Sequence, residues 1–371
     1  MSDPSAPKAR LVSLDAFRGL TIAAMILVNN PGDWSCVYWP LLYASWHGWT
    51  PTDLIFPFFL FMVGMSLTFS RCLEFRPALF RASKLVGLGL LLNLYPFFPF
   101  ADLRWSGVLQ RIGICYLAAF AAKRWLRPRG QAALVAALLV GYWVLMTQVM
   151  GPEGHPPNLE METNLAAQVD RILLVPHVWS VTKTWDPEGV LSTFPAIATT
   201  LLGLLFGWWV RSGRKPSTTA LGLLFGGLGL SVLGVLWAEG VPAWFAFPIN
   251  KSLWTSSFVL LTGGLAAALF GLTYWVVDVA GWRRWARPFV TYGKNAIAVY
   301  VGAGLLADTL GAIGWSGADG PWASLWERLY RALYAGWLPC HEASLAWALS
   351  MVLLFYFAAS WMDRRGVYLK V

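Results

Sequence analysis

Charge is scarce in this sequence. Only 13% of its 371 residues are Asp, Glu, Lys or Arg, and 57% are hydrophobic. A water-soluble domain of this length could not cover its surface with so little charge, so an integral membrane protein is expected. Cysteine and histidine are scarce too, at four each. No CxxC pair, P-loop, dinucleotide-binding glycine fingerprint or HExxH helix is present, which removes the common redox, nucleotide and zinc chemistries. The histidines are scattered, and no metal is expected. No low-complexity tract, linker or charge run divides the chain, so one domain over 1–371 is expected.

Aromatic residues are abundant, at 15% with 23 Trp, as fits side chains placed at both headgroup layers. The 35 glycines fit close helix contacts in lipid, for example Gly203/Gly207 and Gly222/Gly226. The net charge of +9 does not indicate nucleic acid, because the basic residues fall in short clusters between apolar runs.

Apolar windows of bilayer-crossing length fall near 14–30, 53–70, 82–100, 107–122, 131–150, 190–210, 218–236, 253–277, 289–310 and 343–362. They predict an all-α membrane bundle of about ten helices, ten to eleven if 321–338 adds a short interfacial segment. Alternate connections carry Lys8/Arg10, Arg71/Arg76/Arg81/Lys84, Lys123/Arg124/Arg127/Arg129, Arg211/Arg214/Lys215, Arg283/Arg284/Arg287 and Arg364/Arg365/Lys370. These are 19 of the 28 basic residues. The positive-inside bias puts both termini in the cytoplasm, with a polar N-terminus over 1–12 and a first span read as an uncleaved signal anchor. His47, His155, His177 and His341 then lie outside, with the long loops 151–189 and 311–342. Cys36 and Cys340 also fall outside and could pair in an oxidising compartment; Cys72 and Cys115 fall inside or within a span.

Polar side chains cluster at the edges of spans. In SLDAFRG, Asp15 and Arg18 share a helix face, either as an ion pair or with Arg18 holding an anionic ligand. Asn29 and Asn30 end that span, either capping backbone groups or pointing at a reacting carbonyl. The stretch Leu41–Gly64 runs from an aromatic, hydroxyl-bearing loop straight into an apolar span. Within it, Tyr43 and His47 share one face if the loop is helical, and Asp53 begins the next helix. A neutral imidazole there can take a proton while a carboxylate orients it; the competing account is an interfacial His with an N-capping Asp. Gln110/Arg111, Asn250/Lys251, Lys294/Asn295 and the Asp186–Ser192 segment DPEGVLS add further polar groups. Several buried cations converging on one bundle suggest a site for phosphates or a carboxylate. Pairing with Asp15, Asp53, Asp186, Glu188 or Asp308 is the alternative for each.

Taken in order, SLDAFRGLTIAAMILVNNPG, ASWHGWTPTDLIFPFFLFMVG, GVLQRIGICYL, DPEGVLSTFPAIATTLLG, PINKSLWTSSFVLLTGG and YGKNAIAVY resemble the heparan-α-glucosaminide N-acetyltransferase family, from about Arg10 to the C-terminus. The resemblance implies a multi-pass transmembrane acyltransferase that takes acetyl from cytoplasmic acetyl-CoA and delivers it to an amino sugar or glycan on the opposite face. In this chain that means the bacterial inner membrane and a periplasmic acceptor, with membrane lipid around it and a homodimer compatible. By motif, Asn29 matches the family's active-site Asn and would polarise the acetyl carbonyl. The family's catalytic His opens an HAxW motif, and that position here is Tyr43, in YASW. Tyrosine is a poor base near neutral pH, so the base is expected at His47, where the lysosomal member has Asn. The expected reaction cluster is Asn29, His47 and Asp53, with Tyr43 orienting the acceptor. Arg18, Arg111, Lys251, Lys294, Asn250 and Asn295 are the expected donor contacts. A transporter of amino sugars or cell-wall fragments, or a non-catalytic acyl-CoA-binding relative, would use similar residues.

Overall fold

Hydrocarbon offers no water to backbone amides, so an apolar segment that enters it must bond internally, and helices do this. The computed structural model describes residues 11–70, 73–240, 243–317 and 320–369; Lys8, Arg10, Arg71, Cys72 and Lys370 lie outside them. The helices are α1 (Val12–Asn29), α2 (Ile55–Phe69), α3 (Phe75–Leu94), α4 (Val108–Trp125), α5 (Pro128–Gln148), α6 (Leu165–Leu173), α7 (Thr193–Val210), α8 (Pro216–Ala238), α9 (Ser256–Tyr274), α10 (Arg287–Lys294), α11 (Ala296–Ala312), α12 (Leu325–Tyr330) and α13 (Cys340–Arg364).

Every predicted apolar window holds a helix. Eight helices among the described residues are long and apolar enough to cross a membrane, and nine candidates result if α10 and α11 count as one broken span bent by 80°. Helix α4 has the length, but Arg111, Lys123 and Arg124 keep it out of that set. The all-α expectation needs one correction. Gly314–Gly317 and Gly320–Ser324 form a two-stranded antiparallel hairpin, β1 and β2. This Gly- and Ser-rich stretch has no apolar run long enough for a helix. The expected interfacial segment 321–338 contains β2, α12 and a π-helical turn over Arg331–Ala335.

Helices α1, α2, α7 and α9 form the centre, whereas α3, α5, α8 and α13 show most of their surface outward. Where α2 crosses α7 the backbones nearly touch. A Cβ on Gly64 would lie 1.8 Å from the Thr200 carbonyl oxygen, and one on Gly203 would lie 1.9 Å from that of Phe61. Only glycine permits this approach. Gly207 packs on the Thr68 side chain, Gly222 faces the Trp209 indole, and Gly226 retains space.

The bundle has two distinct ends. At the basic end, Lys123 donates to the Leu67 and Ser70 carbonyls, each at 2.8 Å; Arg211 donates to the Thr68 carbonyl; and Lys294 meets both Asp363 oxygens at 2.9 Å. At the loop end, the Trp46 indole donates to Leu159 O at 2.9 Å and Gly48 N to Ile249 O at 2.8 Å. A disulfide joins Cys36 to Cys340 there, with Cα atoms 5.6 Å apart, tying the α1–α2 connection to the start of α13. Cys115 is a buried free thiol. Exposed Trp residues ring both ends, among them Trp125, Trp282 and Trp361 at one and Trp34, Trp39, Trp244 and Trp337 at the other. Amphipathic rings favour the headgroup layer, so this placement fits the aromatic belts expected of a membrane protein.

Candidate active site

The connection from Asn30 to Thr50 is irregular except for a 3-10 turn at Trp39–Leu41, so the condition that would align Tyr43 and His47 on a helix face is not met. Asp53 organises this loop. It is the third residue of the turn Pro51–Leu54, where a Thr50–Asp53 capping box is closed from both sides. Its Oδ2 accepts from Thr50 N at 2.9 Å and Ala44 N at 3.1 Å. Its Oδ1 has no hydrogen bond among the described residues and lies 3.6 Å from the Lys251 ammonium. The carboxylate is fully buried. Asp53 therefore holds the loop and faces Lys251; it does not orient the His47 imidazole by a hydrogen bond.

Asn29, the last residue of α1, accepts at Oδ1 from the Tyr43 hydroxyl at 2.7 Å. Lys251 Nζ sits 3.4 Å from the centroid of the Tyr43 ring, a cation–π contact. Tyr43 is 40% exposed at its own surface, yet protein crowds the surroundings of its hydroxyl. Burial, followed by the charge of Asp53, then Glu188 and Tyr300, raises the phenol pKa well above its ordinary value. Tyr43 is thus a proton donor near neutral pH. Burial lowers the Lys251 pKa, with Asp53 and then Glu188 opposing the shift. Lys251 therefore yields its proton more readily than a surface lysine.

His47 is exposed and meets Asn250. The orientation of Asn250 follows from its neighbours: Oδ1 accepts from Leu253 N at 2.9 Å, so Nδ2 faces His47 Nδ1 at 3.4 Å. An amide N–H directed at Nδ1 favours the tautomer that carries its proton on Nε2. Asn250 is fully buried and shapes the turn before α9, where its backbone N–H also donates to Thr255 Oγ1 at 3.0 Å.

A charged lattice supports the loop end behind this group. Arg104 grips Asp186 through Nε at 2.7 Å and Nη2 at 2.6 Å, and Nη2 also reaches Glu188 at 2.6 Å. Burial alone would raise the Asp186 pKa, but the hydrogen bonds and charge of Arg104 hold it below the usual carboxylate value. Asp170, on α6, accepts from Val190 N at 2.9 Å and Asp186 N at 3.2 Å. Burial nevertheless raises its pKa to about 6. Arg111 is 1% exposed; it donates to Ser192 Oγ at 2.5 Å and lies over the Trp254 ring at 5.2 Å. It cross-links α4, the DPEG turn and the start of α9.

The basic end carries a cavity of about 340 Å3, bordered by Arg18, Arg81, Lys294, Ser66 and Tyr116. Arg18 donates to Ser66 Oγ at 2.6 Å and touches Asp15 at 3.4 Å. Phe59, Leu109, Ile112, Ala296 and Ile297 border this cavity and also a constriction of about 10 Å3 above it, which extends to Met25 and Tyr300. Tyr300 is close enough to Tyr43 to raise its pKa. The basic cavity thus shares an apolar wall with a small void that reaches Tyr300.

The expected donor contacts therefore divide. Arg18 and Lys294 border the basic-end cavity, and Lys294 is already engaged by Asp363. Asn295 lies at the α10–α11 bend, 1% exposed and with neither amide atom bonded among the described residues. Arg111, Lys251 and Asn250 stand at the loop end with Asn29, Tyr43, His47 and Asp53. The physical reason is helix direction: α4 and the turn before α9 begin at the loop end, so their first residues cannot reach the basic end. Ser66, Tyr300 and Arg104 are not among the site residues expected from sequence. Ser66 and Tyr300 carry no signal beyond a polar group inside an apolar run.

The model of the family described as "Heparan-alpha-glucosaminide N-acetyltransferase, catalytic" matches residues 10–234. The chain is 28% identical to the human heparan-alpha-glucosaminide N-acetyltransferase over 365 residues, covering 80% of this chain and 53% of that protein. It is also 28% identical to the mouse protein of the same name over 356 residues, with 79% and 53% covered. The chain spans about half the length of the curated relatives it matches.

Proposed function

This chain belongs to the heparan-alpha-glucosaminide N-acetyltransferase family, and from that premise we propose that it is a transmembrane acyltransferase that moves acetyl from acetyl-CoA to an amino sugar or glycan. The donor enters at the basic end, on the cytoplasmic side of a bacterial inner membrane, and the acceptor arrives at the loop end from the periplasm. The observation that carries this reading is the basic cavity, whose apolar wall residues also border a small void below Tyr300. Arg18 and Asn29 stand eleven residues apart on one helix, about 16 Å of rise. The pantetheine arm of CoA is of that order of length. Its phosphates would rest near Arg18 and Arg81, and its thioester would reach Asn29 once the side chains around that void part.

At the thioester, Asn29 donates from its amide to the acetyl carbonyl while Oδ1 stays bonded to Tyr43. A preorganised donor of this kind is worth roughly 3 kcal/mol in the transition state. Lys251 holds the Tyr43 ring, and Asp53 holds Lys251 and the loop. The amine nitrogen bonds to the carbonyl carbon and His47 takes its proton at Nδ1, the nitrogen that Asn250 approaches across a long 3.4 Å; the carbon–sulfur bond then breaks and CoA leaves as a thiolate that takes up that proton. The test is His47→Ala in purified protein with acetyl-CoA and glucosamine-type acceptors. Turnover should be lost; unchanged turnover would sink the base assignment.

The 80° break between α10 and α11, with the unbonded Asn295 amide at the bend, favours one competing reading, a transporter with a site at a discontinuous helix. Uptake into proteoliposomes without acetyl-CoA would support transport, whereas acceptor-dependent release of CoA would support the enzyme.

A further inference from the structure

A separate cavity, of about 330 Å3, lies at the loop end between the first turns of α4 and α7. Ile114, Val190, Phe194 and Ile197 give it an apolar lining. Its rim faces outward, where α4 packs beside α7: Ile114 is 48% exposed and Phe194 46%. Ile114 lies six residues into α4, about 9 Å of rise from the loop end. The slot therefore opens at the depth of the acyl chains and not into water. Hydrocarbon fills an apolar void at that depth, because an empty one forfeits the dispersion contacts of its whole lining.

The top of this slot is continuous with the candidate active site. Glu188 borders it and is held by Arg104 Nη2 at 2.6 Å. The Glu188 charge is felt at both Tyr43 and Lys251, so slot and reaction cluster meet at that carboxylate. Trp105 forms the lip. It stacks on His177 with ring centroids 3.9 Å apart and planes at 9°. His177 Nδ1 donates to Leu103 O at 2.9 Å, and Trp105 N donates to His177 O at 3.0 Å. The lip is thus a fixed, flat, amphipathic ring, which suits the boundary between acyl chains and headgroups. A molecule whose tail fills the slot carries its polar head past Trp105 to Glu188, on the side of Tyr43.

We propose that the slot between α4 and α7 takes the hydrocarbon tail of the acceptor, so that the acceptor is a membrane-anchored amphipathic amine entering sideways from the outer leaflet. The assignment rests on the acyltransferase reading for its link to the reaction cluster. A free sugar or a water-soluble chain needs only the open loop end and leaves the slot without a purpose. The slot adds little hydrophobic energy, since the tail passes from hydrocarbon to hydrocarbon. Its contribution is orientation: a seated tail holds the amine at one height and one angle to the thioester.

The test uses the intact chain in nanodiscs and a decyl glucosaminide carrying a diazirine at the end of its alkyl tail. Without acetyl-CoA, irradiation should label residues 105–114 and 189–197, as mapped by mass spectrometry. A phospholipid with the same diazirine in its acyl chain should label them about tenfold less. Ile114→Trp, which fills the slot from its rim, should cut the glucosaminide label about tenfold and raise the KM for the tailed amine about tenfold. Leu353→Trp, on the outward face of α13, should do neither and controls for partitioning into the bilayer. Label scattered over the outward helix faces, equal labelling by the phospholipid, or label and KM both unchanged in Ile114→Trp would overturn the slot assignment. If Ile114→Trp does not fold, the place of the label in the parent chain decides in the same way. Specific labelling in a protein that never consumes acetyl-CoA keeps the slot and removes the acyltransferase reading. Acetyl transfer to glucosamine with no label in the slot does the reverse.

Discussion

The Tyr43 hydroxyl donates to Oδ1 of Asn29 across 2.7 Å. The residue standing where the family resemblance places histidine is therefore bonded to the asparagine that the same resemblance places at the acetyl carbonyl. With its pKa raised by burial, Tyr43 can orient Asn29 but cannot serve as a base near neutral pH. The hydrogen bond has a defined physical consequence: the amide of Asn29 is held by its oxygen, leaving its N–H groups directed away from Tyr43.

Tyr43→Phe should release Asn29 and lower kcat by about 10- to 100-fold, somewhat less than the loss of a direct oxyanion donor. Acetyl-CoA turnover with a glucosamine acceptor measures it. Tyr43→His, which rebuilds the HAxW pattern, should retain turnover; an inactive Tyr43→His together with a fully active Tyr43→Phe would show that the position has no role in orientation.

Lys251→Met should destabilise the loop end by about 1–3 kcal/mol, because it leaves the buried Asp53 Oδ1 without the cation beside it. Adding Asp53→Asn should recover part of that loss, since the neutral amide needs no cation. Thermal unfolding of the two single variants and the double variant measures the coupling; strictly additive losses would mean that the pair does not interact.

Asp170 predicts a pH dependence with a definite sign. Its folded pKa of about 6 lies above the ordinary 3.8, so its contribution to stability is fully present below 3.8 and is lost as pH rises through 6. The difference amounts to roughly 3 kcal/mol at most. Asp186 works the other way, but its window lies below 3.8 because Arg104 depresses it. The protection factors of amides in residues 165–192, corrected for the pH dependence of intrinsic exchange, should therefore be larger at pH 5 than at pH 7.5. Asp170→Asn should flatten that dependence, and a loop equally protected at both pH values in the parent chain would contradict it.

Cys36→Ser or Cys340→Ser should cost about 2–4 kcal/mol of thermal stability and loosen the start of the α1–α2 connection, which the disulfide ties to α13. Unfolding with and without reductant measures the first effect. The second should appear as lower amide protection in residues 31–38, with residues at the basic end unchanged.

Much of this architecture is legible in the sequence. The helices follow from apolar run length, and the clustering of Lys and Arg agrees with connections that alternate between the two ends. The pairing Thr50–Asp53 is readable as a capping box in TPTD. The loop-end position of Arg111 is also within reach, since it lies one turn into a helix that starts there. The hairpin at 314–324 escapes a sequence reading because its strands hold only four and five residues, too few for alternation to stand out. The disulfide stays open at that level, because two isolated cysteines have no spacing signature.

By itself the sequence determined that this is a multi-helix membrane protein with one basic end and one end rich in loops. That information is local: hydropathy and charge add along the chain, and the bilayer converts them into helices and their order. Only the tertiary structure decided that Lys251 lies on Tyr43, that Asn250 faces His47, and that Arg18 borders a cavity whose apolar wall is shared with a void beneath Tyr300. Those contacts join residues far apart in sequence. They depend on which helix faces meet and how far each side chain reaches, and no window of the sequence contains that.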